Sequence, residues 1–317
     1  MVRYKKVEAW QYQQRKSHPL QIKVRMTQER IRAWHRHYDG NVFVSFSGGL
    51  DSTVLLHIAR GLYPDMLAVF FNTGLEFPET VRFINEFPSV EKLKPKRRFP
   101  WIVERYGWPI VSKRIAQSIY EVRSAKGETA TKRLRLTGVK SNGELSPLAM
   151  IPYKWQYLCN APFGISHKCC EFMKKKPSDE MLKRGMYPII GTRADEGLQR
   201  LKTYYNFGCN AFDLKRPRST PLAFWTHDDI WNYIRANNVS YSPIYDMGYV
   251  RTGCYCCGFG VHLEKHPNRF ERLKETHPKL YRYVIDKLGM GPIIDYYLRG
   301  DVPLFNQQRC LSNGFTT

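Results

Sequence analysis

Apolar positions fall in short bursts separated by longer amphipathic runs. Asn41 to Phe46, NVFVSF, is a compact β-rich burst and predicts a buried strand. SGG follows it, and DSTVLLHIARGLY then predicts a helix ending at Gly61. MLAVFF (66–71) predicts the next strand, followed by NTGLEFP and a helix from about Glu79. WPIVS (108–112) is a weaker strand signal; YPIIG (187–191) is a clearer one and leads into the polar loop TRADEGLQR. Upstream, MTQERIRAWHRHY (26–38) places Met26, Ile31 and Trp34 on one helical face. THDDIWNYIRANN (226–238) predicts a helix with Thr226 as N-cap and Asp228 and Asp229 in its first turn. Strands alternating with helices predict an α/β fold, a parallel twisted sheet with helices on both faces. Ligands on such sheets sit at the carboxyl ends of the strands, where the loops after 46, 71 and 191 would meet. The segment 124–147, SAKGETATKRLRLTGVKSNGELSP, is poor in bulky apolar residues and predicts a mobile basic loop or lid. No internal repeat interrupts this order.

Composition narrows the picture. The chain has 317 residues, 43% of them hydrophobic, which is enough for a packed core and excludes a fully disordered basic chain. No apolar run approaches the roughly 20 residues needed to span a bilayer, so no membrane association is expected. The N-terminus, MVRYKKVEAWQYQQRKSHPL, is basic without an apolar centre and does not read as a secretory signal. The eight cysteines are too sparse for a disulfide-stapled miniprotein. Their clustering suggests a metal or redox site in a reducing, cytoplasmic setting. The formal net charge is +22, of which residues 1–37 carry +8 and residues 92–140 carry +11. Tyr4, Trp10, Tyr12 and Trp34 are interleaved with the first stretch. Cations with stackable rings suit a polyanion such as nucleic acid; a solvated face plus a small polyanion site is the alternative. The expected division is a basic helical extension (1–40), a nucleotide-binding α/β domain (41–240) and a C-terminal region with a CxxC motif (241–317).

Ser47-Gly48-Gly49-Leu50-Asp51-Ser52 lies between a predicted strand and a predicted helix. Two glycines let the backbone turn tightly and bring N–H groups to an anion, while Ser47 and Ser52 add hydroxyls and the helix N-terminus adds its dipole. Asp51 would be a poor neighbour for bare phosphate but a good ligand for Mg²⁺ bound to it. VSFSGGLDSTVLLHIA resembles the PP-loop motif of the N-type ATP pyrophosphatase and adenylyl-sulfate/phosphoadenylyl-sulfate (PAPS) reductase superfamily. FNTGLEFPET (71–80) looks like its strand-end motif beside the nucleotide, and GTRADEGLQR (191–200) like its arginine-containing anion loop. STPLAFWTHDDIWNYI followed by SPIYDMGYVRTGC resembles its C-terminal segment. The matching blocks run in family order from about 41 to 257, most of the chain. The resemblance implies an adenine nucleotide alpha-hydrolase-like fold that binds ATP. It implies that Ser47, Gly48, Gly49, Asp51 and Ser52 cradle phosphate, that Thr73, Gly74 and Glu76 lie near the nucleotide, and that Arg193 and Arg200 handle an anionic group. A guanidinium fork suits phosphate or sulfate; each arginine alone could instead form a surface ion pair with Asp195 or Glu196.

Cys169-Cys170 and Cys254-x-x-Cys257 form a second constellation. CxxC on a turn lets two thiolates face one metal. Adjacent cysteines are awkward for one tetrahedral zinc ion, whereas a [4Fe–4S] cube accepts one thiolate per iron at separate corners. Zinc and a metal-free thiol set stay open on pattern alone. CC followed by CxxC about eighty residues later also resembles the cluster pattern of iron–sulfur adenylyl-sulfate reductases. Cys256 breaks the simplest pattern, as a spare thiol or an alternative ligand; Cys159, Cys209 and Cys310 read as buried small hydrophobes. His167 and Lys168 before the pair, and Lys174 to Lys176 after it, favour thiolate and would offset the charge of a cluster.

Two departures bear on the reaction. Reductases that this chain resembles carry a catalytic cysteine in a C-terminal Glu-Cys-Gly-type motif, but here the tail reads NQQRCLSNGFTT, with Cys310 in different flanks. The full SGG-x-DS form resembles members that split ATP into AMP and pyrophosphate, a chemistry of positioning and charge neutralisation. The expectation is an ATP-using iron–sulfur enzyme, with Asp51, Arg193 and Lys168 as catalytic groups, supporting sulfur transfer to a nucleic acid or other polyanion. A cysteine desulfurase or thioredoxin-like protein would be the sulfur-donor partner. The alternatives are a sulfonucleotide reductase releasing sulfite and a non-catalytic nucleotide-sensing DNA-binding regulator.

Overall fold

The computed structural model describes residues 7–299, the side chain of Arg299 excepted. Its strands, in chain order, are β1 (Val42–Ser45), β2 (Ala68–Phe71), β3 (Val90–Leu93), β4 (Ile110–Val111), β5 (Tyr187–Ile190), β6 (Asn210–Ala211), β7 (Arg218–Ser219) and β8 (Gly258–Phe259). The described chain divides into two compact units, each built from two stretches: 7–95 with 174–253, and 96–173 with 254–299.

The first unit holds a six-stranded sheet in the order β3-β2-β1-β5-β7-β6. β3, β2, β1, β5 and β7 run parallel, and β6 closes the edge antiparallel to β7. Val42 to Ser45 pair with Tyr187 to Ile190, while Val44 and Ser45 pair with Ala68 and Val69 on the other side. The chain thus leaves β1 toward β2 and β3, then returns to the opposite side of β1 as β5. This reversal opens a crevice at the carboxyl ends of the central strands.

Alternation along the strands sorts the core into two layers. Val42, Val44, Ala68, Phe70 and Ile189 face a large cluster that includes the helix Leu50–Leu62 through Val54, Leu55 and Ile58. Phe43 and Val69 face the other way, onto Met181 of the helix Lys176–Lys183. Helices therefore cover both faces of a parallel sheet, as the alternating pattern predicted. The helix Leu20–His37 belongs to this core. It buries Lys23, Thr27, Ile31 and Trp34 at helical spacing, with Met26 only partly covered. Thr27 accepts a bond from Trp225 Nε1 at 2.9 Å, and Lys23 pairs with Asp229 at 2.6 Å. The N-terminal helices are thus part of the nucleotide-binding unit, not an extension set off at residue 40.

The second unit is mainly helical. It contains a two-residue parallel ladder, Ile110 with Gly258 and Val111 with Phe259. The weak strand signal at 108–112 is therefore real but belongs to this small ladder, not to the main sheet. The boundary expected at 240 also shifts, because the chain enters the second unit twice, at 96 and at 254. The expected loop at 124–147 is partly ordered into the helix Ala130–Thr137. Thr129 caps it by accepting from Lys132 N–H, and Gly138, at φ 76°, ends it. A bridge between Val139 and Leu145 closes the following turn. The signal missed there was capping chemistry, which works without buried apolar residues.

Candidate active site

In the first unit, β1 delivers Ser47-Gly48-Gly49 to the N-terminus of the helix Leu50–Leu62. Gly48 has φ +70°, and a Cβ there would lie 2.8 Å from Thr80 Cγ2. A Cβ on Gly49 would lie 2.7 Å from Thr252 Oγ1. Gly48 takes a left-handed conformation that favours glycine, and a side chain at Gly49 would have to displace Thr252. The serines fold toward one another: Ser52 Oγ donates to Gly49 carbonyl at 2.9 Å, accepts from Ser47 N–H at 3.2 Å and lies 3.2 Å from Ser47 Oγ. The segment resembling the family's C-terminal block closes over the turn, where Leu50 N–H donates to the Tyr245 hydroxyl at 3.1 Å. Burial raises the Tyr245 pKa, so it remains a neutral phenol.

Asp51, in the first helical turn, lies with Oδ1 2.9 Å from Arg193 Nε. The contact is a charge contact and not an aligned hydrogen bond, and neither atom finds a hydrogen-bond partner among the described residues. Arg193 also reaches Asp195 at 3.3 Å, and its backbone N–H donates to Glu196. Burial raises the Asp51 pKa, Arg193 opposes it and Asp195 adds to it. Arg200 pairs with Glu196, and its own pKa is lowered first by burial. Arg193 and Arg200 thus lie near Asp51, and each forms the ion pair that was the alternative to an anion-binding role. Tyr12, from the N-terminal helix Ala9–Ser17, is close enough to Asp195 and Arg193 for their charges to act on its hydroxyl.

The loop after β2 is tied by its own carboxylate. Glu76 accepts from Thr73 N–H at 3.1 Å and Thr73 Oγ1 at 2.6 Å. Gly74, at φ +73°, donates to Asn72 Oδ1. A cavity of about 460 Å³ opens beside these loops, with Phe70, Phe71 and Ile190 among its apolar walls and Ser47, Glu76 and Thr252 among its polar ones. Lys174, Lys175 and Arg218 also line it. The size and mixed lining suit a nucleotide. The sequence reading did not single out Tyr245, Thr252 or Arg218, and it took Tyr12 only as a ring within the basic N-terminal stretch. Their signal lies in three-dimensional approach to the loop, which no spacing in the chain announces.

The four cysteines of the CC and CxxC motifs lie in the second unit. Cys169 and Cys170 have their sulfurs 3.9 Å apart on the short helical turn Lys168–Cys170. Cys257 N–H donates to Cys254 carbonyl at 3.0 Å, closing the turn that presents the CxxC pair. The Cys169 pKa is pushed up by its bond to Cys170, then by burial, then by the charges of Cys170, Cys257 and Cys254. The four thiols expected to act together are therefore within electrostatic reach of one another, and there is no disulfide among the described residues. No three of the described His, Cys, Asp or Glu residues converge on a point suited to one metal ion. Cys256 is fully buried, and Cys209 is buried as expected; Cys159 is only partly so. Cys310 and Tyr4 lie outside the described residues. Lys168 pairs with Glu171 at 2.9 Å in this second unit, whereas Asp51 and Arg193 belong to the first.

A model of the phosphoadenosine phosphosulfate reductase domain matches residues 41–105 and 128–258. An uncharacterized protein of Methanocaldococcus jannaschii is 28% identical over 259 residues, which are 81% of this chain and 50% of that protein. The chain therefore spans about half the length of that relative. An adenosine 5'-phosphosulfate reductase of Geobacillus kaustophilus is 27% identical over 229 residues, covering 72% of this chain and 77% of the reductase. Among solved structures, the PAPS reductase of Candida auris, in a phosphate complex, matches with a TM-score of 0.42 at 15% identity, over 78% of this chain and 96% of its own. No described helix is long and apolar enough to cross a membrane.

Proposed function

Because the chain belongs to the phosphoadenosine phosphosulfate reductase domain family, we propose that it binds ATP at the Ser47–Ser52 loop and cleaves it to AMP and pyrophosphate. The activated adenylate would support sulfur transfer to a nucleic acid or another polyanionic acceptor. The observation that carries this reading is the intact loop, with two serine hydroxyls 3.2 Å apart beside two closely packed glycines. Such a turn offers backbone donors and hydroxyls to a phosphate chain.

The acceptor oxygen attacks the α-phosphorus, and pyrophosphate leaves with the electrons of the broken P–O bond; a thiolate-level sulfur from the donor protein then attacks the activated acceptor carbon, and AMP leaves with the electrons of the broken C–O bond. Backbone N–H groups of the loop and the Arg193 guanidinium bind the charge that gathers on the leaving group. Asp51 and Arg193 neutralise each other in the structure described, so an incoming polyphosphate takes Arg193 and frees the carboxylate. Asp51 would then hold Mg²⁺, which supplies charge neutralisation at the phosphates when bound. The walls around Phe70, Phe71 and Ile190 exclude water from the nucleoside.

Cys169, Cys170, Cys254 and Cys257 would hold a [4Fe–4S] cluster, which supplies a Lewis-acidic or redox-active iron site when bound. Lys168 lies next to Cys169 in sequence and would offset the charge of that assembly. Sulfonucleotide reduction is the second reading, favoured by the similarity to adenosine 5'-phosphosulfate reductases. Incubation with ATP and, separately, with adenylyl sulfate tests the choice. Pyrophosphate from the first supports the proposal, and sulfite from the second without pyrophosphate from the first supports reduction. Tight nucleotide or DNA binding with neither product would instead point to a regulator.

A further inference from the structure

The second unit carries a surface that the nucleotide chemistry does not use. The helices Lys113–Ser124 and Ala130–Thr137, the turn after them and residues 147–160 form one corner. Internal bonds tie it together: Arg114 Nη1 donates to Leu148 carbonyl at 2.7 Å, Arg135 Nη1 to Ala149 carbonyl at 3.2 Å, and Gln156 Nε2 to Leu136 carbonyl at 3.0 Å. Its three carboxylates are already engaged, Glu121 with Arg135, Glu128 with Lys132 and Glu144 with Lys140. Lys113, Arg114, Arg123, Lys126, Arg133 and Lys154 pair with no carboxylate among the described residues. The helix Ala130–Thr137 buries none of its side chains, so its basic face stays in solvent.

Apolar groups are exposed at the same corner. Leu145, Leu148 and Tyr153 are 73%, 80% and 78% exposed, where such side chains are usually covered. Beside them lies an open groove of about 710 Å³ lined by Arg123, Lys132, Gln156, Tyr157 and Asn160. This volume is large enough for a nucleotide. Unpaired cations call for a polyanion, and an exposed ring beside them calls for something flat to stack on it.

We propose that this corner docks single-stranded nucleic acid, with phosphates on the unpaired cations and a base against Tyr153. The proposal rests on the polyanionic-acceptor part of the functional reading and places that acceptor's contact on the second unit. Stacking on an exposed ring needs unpaired bases, which a duplex does not offer without melting.

The test uses the full chain and a labelled 20-nucleotide single strand, followed by fluorescence anisotropy across a range of salt concentrations. The triple variant Lys113→Gln, Lys126→Gln, Arg133→Gln should flatten the slope of log K against log salt by about 2 units, from about 0.7 per phosphate contact on a single strand. Tyr153→Ala should weaken binding by about 5- to 150-fold at fixed salt and leave the slope in place. ATP binding without nucleic acid should be unchanged in both, so loss of nucleotide binding and loss of docking report separately. An unaltered slope in the triple variant overturns the proposal. So does tighter binding to a duplex of the same length, or displacement of the strand by polyglutamate, which would mark the surface as one for acidic protein.

Discussion

At Asp51 a carboxylate and a guanidinium, both largely covered, hold each other at 2.9 Å without a properly aligned hydrogen bond. An incoming polyphosphate can therefore take Arg193 from Asp51 without breaking an aligned hydrogen bond between them. Asp51→Asn keeps the shape and removes the charge, and Arg193 retains Asp195. ATP cleavage by this variant should fall about 100-fold or more while the far-ultraviolet circular dichroism stays unchanged. Turnover at the wild-type rate would remove Asp51 from the mechanism. Glu76 shows how a residue legible from family resemblance can carry a further duty: its carboxylate organises the Thr73 loop as well as facing the cavity. His57, an exposed residue of the helix Leu50–Leu62, offers a test of the contact that ties this helix to Tyr233. Its ring nitrogen lies 2.9 Å from the Tyr233 hydroxyl, and burial lowers its pKa. A histidine whose folded pKa is depressed binds a proton more weakly when folded. Its stabilisation is present above the unfolded value near about 6.5 and is lost as pH falls below it. Urea midpoints should therefore drop between about pH 7 and 5.5, and His57→Gln should reduce that drop; an identical profile in the variant would assign the loss to other groups.

Elements were legible wherever period and punctuation agreed. NVFVSF, MLAVFF and YPIIG each became a strand of the parallel sheet, and Thr226 caps its helix by accepting from Asp229 N–H at 3.2 Å. The N-terminal helices were legible as helices but not as core. Lys23 sits at a position that pattern reading assigns to solvent, yet it is buried against Asp229, a residue more than two hundred positions away. Close approach between elements was also hidden in the chain. A Cβ on Gly191, at the end of β5, would lie 2.9 Å from backbone atoms of Asp51 and Ser52. Backbone cannot give way as a flexible side chain does, so Gly191→Ala should push the strand end away from the phosphate loop. We expect a loss of about 1–3 kcal/mol in urea denaturation together with weaker nucleotide binding. A variant with wild-type stability and affinity would show that the approach is looser than described.

On the scale of the whole molecule, the chain crosses three times between its two units, after residues 95, 173 and 253. Contiguous domain boundaries were the natural expectation from a linear reading, and long-range packing overrode them. The charge map was legible as two basic stretches; the first lies mainly in the sheet unit, and most of the second lies in the helical one. The cysteine pattern was the clearest long-range signal, since Cys169, Cys170, Cys254 and Cys257 come from both stretches of one unit. Protein prepared without oxygen should contain about four irons per chain with matching acid-labile sulfide, and Cys170→Ser or Cys257→Ser should lose most of both. Stoichiometric zinc without sulfide would contradict the cluster. The central claim, that the Ser47–Ser52 loop directs cleavage between the α- and β-phosphates, is tested most directly by following α-labelled ATP with the acceptor nucleic acid present. With a sulfur donor also present, the account predicts AMP and pyrophosphate in equal amounts. ADP with inorganic phosphate, or no cleavage at all beside sulfite release from adenylyl sulfate, would contradict it.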